Sequence, residues 1–232
     1  MAESKGHSPP MAQALERTLR VVRPKAPERG PGEGDAELAD AVRRGDHRAA
    51  AVFHDRLRPV VERTLLRLLG GRDADHDDIA QQALVDLVFS MDRFRGDCPL
   101  DAWAAIIAAR AAYKHIRRRK IERRLFVLEP LEGYDVPDRA ATGTTMHRST
   151  LRRVEAHLKK LDIRKAWTFV LHDVEGFSLS EVSSITGASP AAAQTRLVRG
   201  RRELHARIAA DPELAGLLRG ATRHKQGEDQ EP

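Results

Sequence analysis

The chain has 232 residues, 40 Lys and Arg against 34 Asp and Glu, a formal net charge of +6, and 41% hydrophobic and 32% charged residues. That length admits one domain or two small ones, with enough apolar residues for a core. No apolar run reaches the roughly 18 residues that signal a membrane span, Met1–Pro10 lacks the apolar core of a secretory signal, and a lone Cys98 excludes a disulfide framework or a cysteine zinc finger. The expectation is a basic, soluble, cytoplasmic protein with no membrane insertion, no cofactor and no bound metal.

Residues 1–34 hold five prolines and four glycines, which predicts a disordered extension with a short helix near Met11–Val22. From Asp35, a predicted N-cap, Leu38, Ala41 and Val42 and then Ala49, Val52 and Phe53 recur at helical spacing. Leu57, Val60, Val61, Leu65 and Leu68 continue that stripe until Gly70-Gly71 stops it. Asp75 or Asp77 caps the next helix, with Ile79, Ala83, Leu84, Leu87 and Val88 as its apolar side. Arg95-Gly96-Asp97-Cys98-Pro99 reads as a loop, and Pro99 or Asp101 opens a helix carrying Trp103, Ile106, Ile107, Ala111 and Ile116. Residues 122–149 lose the periodicity around Pro130, Gly133, Pro137 and Gly143, as a linker does.

Helical spacing returns at Leu151, Val154, Leu158 and Leu161, and again at Trp167, Val170, Leu171 and Val174 up to Gly176. Ser178 caps a short helix with Leu179, Val182 and Ile185; Gly187 makes a turn. Ser189-Pro190 then supplies a cap and a proline at the first helical position. The last helix turns Ala193, Leu197, Leu204 and Ile208 inward. No alternating strand pattern occurs. The predicted fold is all-α: two helical domains, 35–121 and 150–208, a flexible linker 122–149, and a polar tail 209–232.

Charge is segregated along the chain. Between Asp73 and Asp101 eight aspartates stand against Arg93 and Arg95, and between Arg110 and Arg124 eight basic residues stand against Glu122. Basic segments can neutralise phosphates, whereas the acidic one repels nucleic acid and is free to meet a protein. A loop at the foot of a basic helix suits single-stranded nucleic acid. Its arginines and loop backbone are better candidates for contact than the rings of Phe94 and Trp103, which read as core. Acid before the loop and base after it would put a protein partner on one side and DNA on the other.

Residues 178–204 have the short helix, Gly turn and longer helix of a helix-turn-helix. Its last helix leaves Gln194, Thr195, Val198, Arg199 and Arg202 outside. Ala191 and Ala192 let the helix end, whose free N–H groups favour phosphate, approach the DNA backbone.

Asp78-Ile79-Ala80-Gln81-Gln82, then Phe94-Arg95-Gly96-Asp97, Trp103 and Ala112 through Arg119, resemble region 2 of the sigma-70 family of RNA polymerase sigma factors. The short extracytoplasmic-function type is the nearest match. Leu161 through Leu204 resembles region 4, with Glu175-Gly176-Phe177-Ser178, Glu181-Val182 and Thr195 through Arg201 in its motif positions. The sequence departs from the family pattern at Gln82, at Ala109-Arg110, at Lys114 and at Asp162-Ile163. The resemblance implies a sigma factor, not an enzyme, directing promoter recognition and −10 melting. Asp77, Asp78, Gln81 and Gln82 would dock on the β′ clamp of core polymerase. Loop 94–101 and the basic helix would open −10 DNA, with Arg95 and Asp97 meeting a flipped base and Arg110, Lys114, Arg117 and Arg118 holding its phosphates. Ser189, Gln194, Thr195, Arg196, Val198, Arg199 and Arg202 would meet −35 DNA, on a domain that also touches the β flap. An anti-sigma factor is a further partner the resemblance allows. Two other readings stand beside it: a helix-turn-helix regulator that never binds core polymerase, and a metal nuclease using Asp73, Asp75, His76, Asp77 and Asp78.

Overall fold

The computed structural model describes residues 32, 34–72, 74–125 and 145–215. The segment near Met11–Val22, most of the linker and the end of the tail lie outside them. The chain divides into two compact units, one of residues 26–141 with 183–188 and the other built on 142–182 and 189–232. Every regular element among the described residues is helical.

The first unit holds α1 (Asp35–Arg43), α2 (His47–Leu69), α3 (His76–Phe89), a 3₁₀ turn (Met91–Arg93) and α4 (Leu100–Leu125). Asp46 accepts from the N–H groups of Arg48 and Ala49 and so caps α2, which ends at Gly70 with φ 84°. Phe53, Leu57, Val61, Leu65 and Leu69 form its buried stripe. Val52, expected on that stripe, is 58% exposed. Ala80, Ala83 and Leu87 of α3 pack inward with Ile79. α4 turns Ala104, Ala108, Ala109 and Ala112 into the core with Ile107 and Tyr113. Alanine at those positions lets α4 pack against both α2 and α3.

Asp35 corrects the sequence reading. Gly34 occupies the N-cap of α1, and the Asp35 side chain is fully buried. Its carboxylate pairs with Arg56, 2.6 Å away, and accepts from the backbone N–H of Leu100 at 2.7 Å. Burial opposes its ionisation, but the Leu100 N–H and the Arg56 guanidinium outweigh burial and hold the carboxyl below its ordinary value. This stabilisation is present above the ordinary aspartate value and lost as pH falls through the lowered one.

The second unit holds α5 (Thr145–Lys159), α6 (Ile163–Phe169), a π turn (Val170–Val174), the start of α7 (Leu179–Thr186) and α8 (Pro190–Ala210). Leu161, Phe169, Leu204, Ile208 and Leu214 form its core, with Val154, Leu158, Val170 and Val174 packed against it. The expected continuous helix through Val174 widens instead, with the Glu175 N–H donating to Val170 O, five residues back, at 2.9 Å. Asp173, on that wide turn, takes both arms of Arg201 at 2.7 and 2.5 Å. α6 crosses α8 at Gly200, where an added Cβ would lie 3.1 Å from the Lys165 carbonyl oxygen. Gly200→Val is therefore expected to destabilise this unit by about 1–3 kcal/mol through overpacking, read as a lower unfolding midpoint in urea.

Candidate functional site

Asp77, Asp78, Gln81 and Gln82, the predicted protein-docking residues, are all exposed on α3. At 100° per residue, Asp78, Gln81, Gln82, Val85, Val88 and Phe89 fall within one 120° arc. The apolar end of that arc faces solvent: Val85 is 39%, Val88 52% and Phe89 85% exposed. Val88 was expected in the core, and its exposure overturns that. The opposite side of α3 already buries Ile79, Ala83 and Leu87, leaving a stripe that is acidic and amidic at one end and apolar at the other. A solvent-facing Phe beside two Val is the kind of patch that marks an interaction surface.

The loop after α3 is held before any partner arrives. Phe94 is buried and its ring lies 5.3 Å from that of Trp103. Gly96 has φ 78°, a left-handed turn that favours glycine. Arg95 and Asp97 on either side of it are exposed. On α4, Arg110 is half-buried while Lys114, Arg117 and Arg118 are exposed, all four within about 100° of helix surface.

The expected separation of acidic and basic surfaces does not hold within this unit. A groove of about 680 Å³ has Asp75, Asp78, Gln82 and Asp86 on its α3 wall and Lys114, His115, Arg118 and Arg119 on its α4 wall. Candidate docking residues and candidate DNA residues thus adjoin. Asp75 lies 3.6 Å from His115 and 4.0 Å from Arg119. It holds the N-cap position of α3 without a side-chain cap. His76 is buried, with no hydrogen-bond partner for either ring nitrogen. Asp73 lies outside the described residues, and among those described no group of three or more His, Cys, Asp or Glu could hold a metal ion.

In the second unit, Ser178 and Glu181 form a reciprocal capping box. The Ser178 N–H donates to the Glu181 carboxylate at 2.6 Å, and the Glu181 N–H to Ser178 Oγ at 3.2 Å. Gly187, at φ 65°, turns the chain between α7 and α8. Ser189 Oγ accepts from the Ala192 N–H at 3.2 Å, so this candidate DNA residue also caps α8. Ala193, Leu197, Leu204 and Ile208 are buried as expected. Gln194, Thr195, Val198, Arg199 and Arg202 line one shallow groove on the outer face. Thr195 Oγ1 donates to Ala191 O at 2.9 Å, leaving its methyl and an acceptor lone pair for a ligand. Arg196 is half-buried and lies about 100° or more around the helix from Gln194, Val198 and Arg202.

The Sigma-70 region 2 family model matches residues 53–121, and the Sigma-70, region 4 model matches residues 151–204. The chain belongs to the sigma-70 family. It is 29% identical over 189 residues to the RNA polymerase sigma factor CnrH of Cupriavidus metallidurans, spanning 79% of this chain and 98% of that one. It is 28% identical over 171 residues to the ECF RNA polymerase sigma factor SigM of Mycobacterium tuberculosis, spanning 73% of this chain and 82% of the other. A solved structure of CnrH in complex with the cytosolic domain of CnrY aligns at 26% identity over 77% of this chain and 99% of that chain, with a TM-score of 0.47. The protein is an extracytoplasmic-function RNA polymerase sigma factor, and its partners are RNA polymerase and promoter DNA. None of its helices among the described residues is long and apolar enough to cross a membrane.

Sequence reasoning missed two features of this sigma factor. Val85, Val88 and Phe89 extend the exposed stripe of α3, and the signal was their spacing from Asp78. The other is the pair of contacts that the predicted helix α1 makes through Asp35 and Arg43, whose partners Arg56, Leu100, Met91 and Phe94 are distant in sequence.

Proposed function

We propose that the first unit docks on core polymerase through Asp77, Asp78, Gln81 and Gln82 and opens −10 DNA with Arg95 and Asp97. The exposed α3 stripe supports the docking assignment and extends it to Val85, Val88 and Phe89. Along α4, Arg110 to Arg118 begin about 15 Å of helix rise beyond Leu100. The loop and the basic face therefore engage different nucleotides of one strand: Arg95 and Asp97 meet the base, and Arg110, Lys114, Arg117 and Arg118 hold phosphates further along.

The second unit reads −35 DNA through α8. The observation that carries this is the single groove of Gln194, Thr195, Val198, Arg199 and Arg202 opposite a fully buried stripe. An outward helix face of this composition fits a major groove. Ser189 positions the helix end, and Arg196 approaches phosphate from the side. On this reading the protein acts by binding rather than by catalysing a reaction, and it works in the cytoplasm, where core polymerase and promoter DNA are. An anti-sigma factor, a further expected partner, would act by covering these surfaces.

Run-off transcription with purified core polymerase tests the whole reading. Promoter-specific transcripts are expected when this protein is the only specificity factor added; specific DNA binding without core binding would mark a plain helix-turn-helix regulator instead. Within that assay, Gln194→Ala is expected to change −35 base preference by about 1–3 kcal/mol at one position. Arg199→Ala is expected to weaken all promoters alike and flatten the salt dependence. Equal loss of discrimination from both would displace the recognition-helix register.

A further inference from the structure

We propose that α1 is a clamp that presets the −10 loop, with Asp35 and Arg43 as positioning residues at its two ends. The inference rests on the assignment of loop 94–101 to strand opening.

The loop needs outside support because its own sequence supplies little. α4 begins at Leu100 behind Pro99, and the Trp103 N–H donates to Pro99 O at 3.1 Å, which makes Pro99 the N-cap. Proline has no side-chain acceptor for the free N–H groups of a first turn. Asp35 supplies one from 65 positions earlier in the chain, accepting the Leu100 N–H at 2.7 Å. A buried carboxylate there also favours the positive end of the α4 dipole. Arg56 holds that carboxylate in place and reaches on to Asp101, with Nε 3.0 Å from Oδ1. The Gly32 N–H also donates to Asp35, and a Cβ on Gly32 would sit 2.6 Å from Oδ2.

Arg43 does the matching work at the other end. Its Nη2 donates to Phe94 O at 2.6 Å and to Met91 O at 3.0 Å, and its Nε reaches Met91 O at 3.3 Å. One rigid nine-residue helix, about 12 Å from first to last residue, therefore holds the backbone where the loop leaves the 3₁₀ turn and where it enters α4. Residues 95–99 lie between these two anchors, and Arg95 and Asp97 are the exposed polar side chains there. Fixing both ends removes most of the ordering cost of presenting them to an extruded base.

The test compares opening of a duplex promoter with transcription from a template already melted at −10, using the full chain and core polymerase. The readout is the duplex-to-bubble ratio, because an unfolded fraction lowers both arms equally. Arg43→Ala is expected to lower the ratio about tenfold, the effect of losing hydrogen bonds to a charged group, with core affinity within about twofold of wild type. Arg43→Lys should not restore it, since an ammonium lacks the fork that spans two carbonyls. Asp35→Asn keeps the shape and loses the charge, and is expected to lower the ratio about threefold. An unchanged ratio in both Arg43→Ala and Asp35→Asn overturns the clamp when Arg95→Ala with Asp97→Ala still fails on duplex. A normal ratio in that loop variant overturns the loop assignment itself. Equal loss on duplex and bubble in the Arg43 and Asp35 variants reduces α1 to a structural element.

Discussion

Core polymerase is expected to bind Phe89→Ala more weakly by about 2–4 kcal/mol, the range for a large aromatic anchor at the centre of an interface. Phe89 is 85% exposed, so its removal leaves no cavity and costs the free protein little stability. A loss of affinity is then a loss of contact, and circular dichroism of the free variant should match wild type. Asp78→Ala with Gln81→Ala is expected to behave differently. These residues form the polar end of the stripe, where charge steers encounter, so the association rate and its salt dependence should fall more than the dissociation rate rises. Stopped-flow binding at two ionic strengths separates the two patterns. Unchanged affinity in both variants would move the polymerase contact off α3. An effect confined to Asp78 and Gln81 would make the apolar end a surface for something else.

The helices were legible in the sequence where one side of a helix alone decides burial. α8 is the clearest case: Ala193, Leu197, Leu204 and Ile208 were expected inward and are all buried. Gln194, Val198 and Arg202 were expected outward and are exposed. The capping residues Ser178 and Ser189 were equally legible, because a cap is a local bond within three residues. Val88 failed because hydrophobicity says only that a residue gains by burial, and a partner can supply that burial as well as the core. Asp35 failed for a different reason. An acidic residue before an apolar run reads as a cap for its own helix, while the carboxylate here caps a helix that starts 65 positions later. The shared groove of α3 and α4 was hidden in the same way. Charge counted along the chain separates acid from base, but packing α3 against α4 sets Asp78 and Asp86 opposite Lys114 and Arg118.

Arg95→Ala combined with Asp97→Ala is expected to leave core binding and the closed complex nearly intact and to abolish most −10 melting. Both side chains are exposed, and neither takes part in the loop's anchors, which run through the backbone at Phe94 and Leu100. The loop should therefore keep its shape without them. Extruding a base costs a few kcal/mol of stacking and pairing, and polar contacts to the extruded base must return that amount for the bubble to persist. An arginine and a carboxylate on opposite sides of a glycine turn offer donors and acceptors to the same base edge. Their loss removes about 2–6 kcal/mol of those contacts, at 1–3 for each of two good pairings, enough to return the equilibrium to duplex. Permanganate reactivity of −10 thymines measures melting directly, and a pre-melted template should restore transcription because its stacking cost is already met. Lys114 and Arg117, proposed to hold phosphates, provide the contrast. Their replacement by alanine should weaken duplex and bubble alike and reduce the salt slope by about one per charge. Normal melting by the loop variant, or a failure of the bubble to rescue it, would leave Arg95 and Asp97 as surface residues and shift strand opening to the α4 face alone.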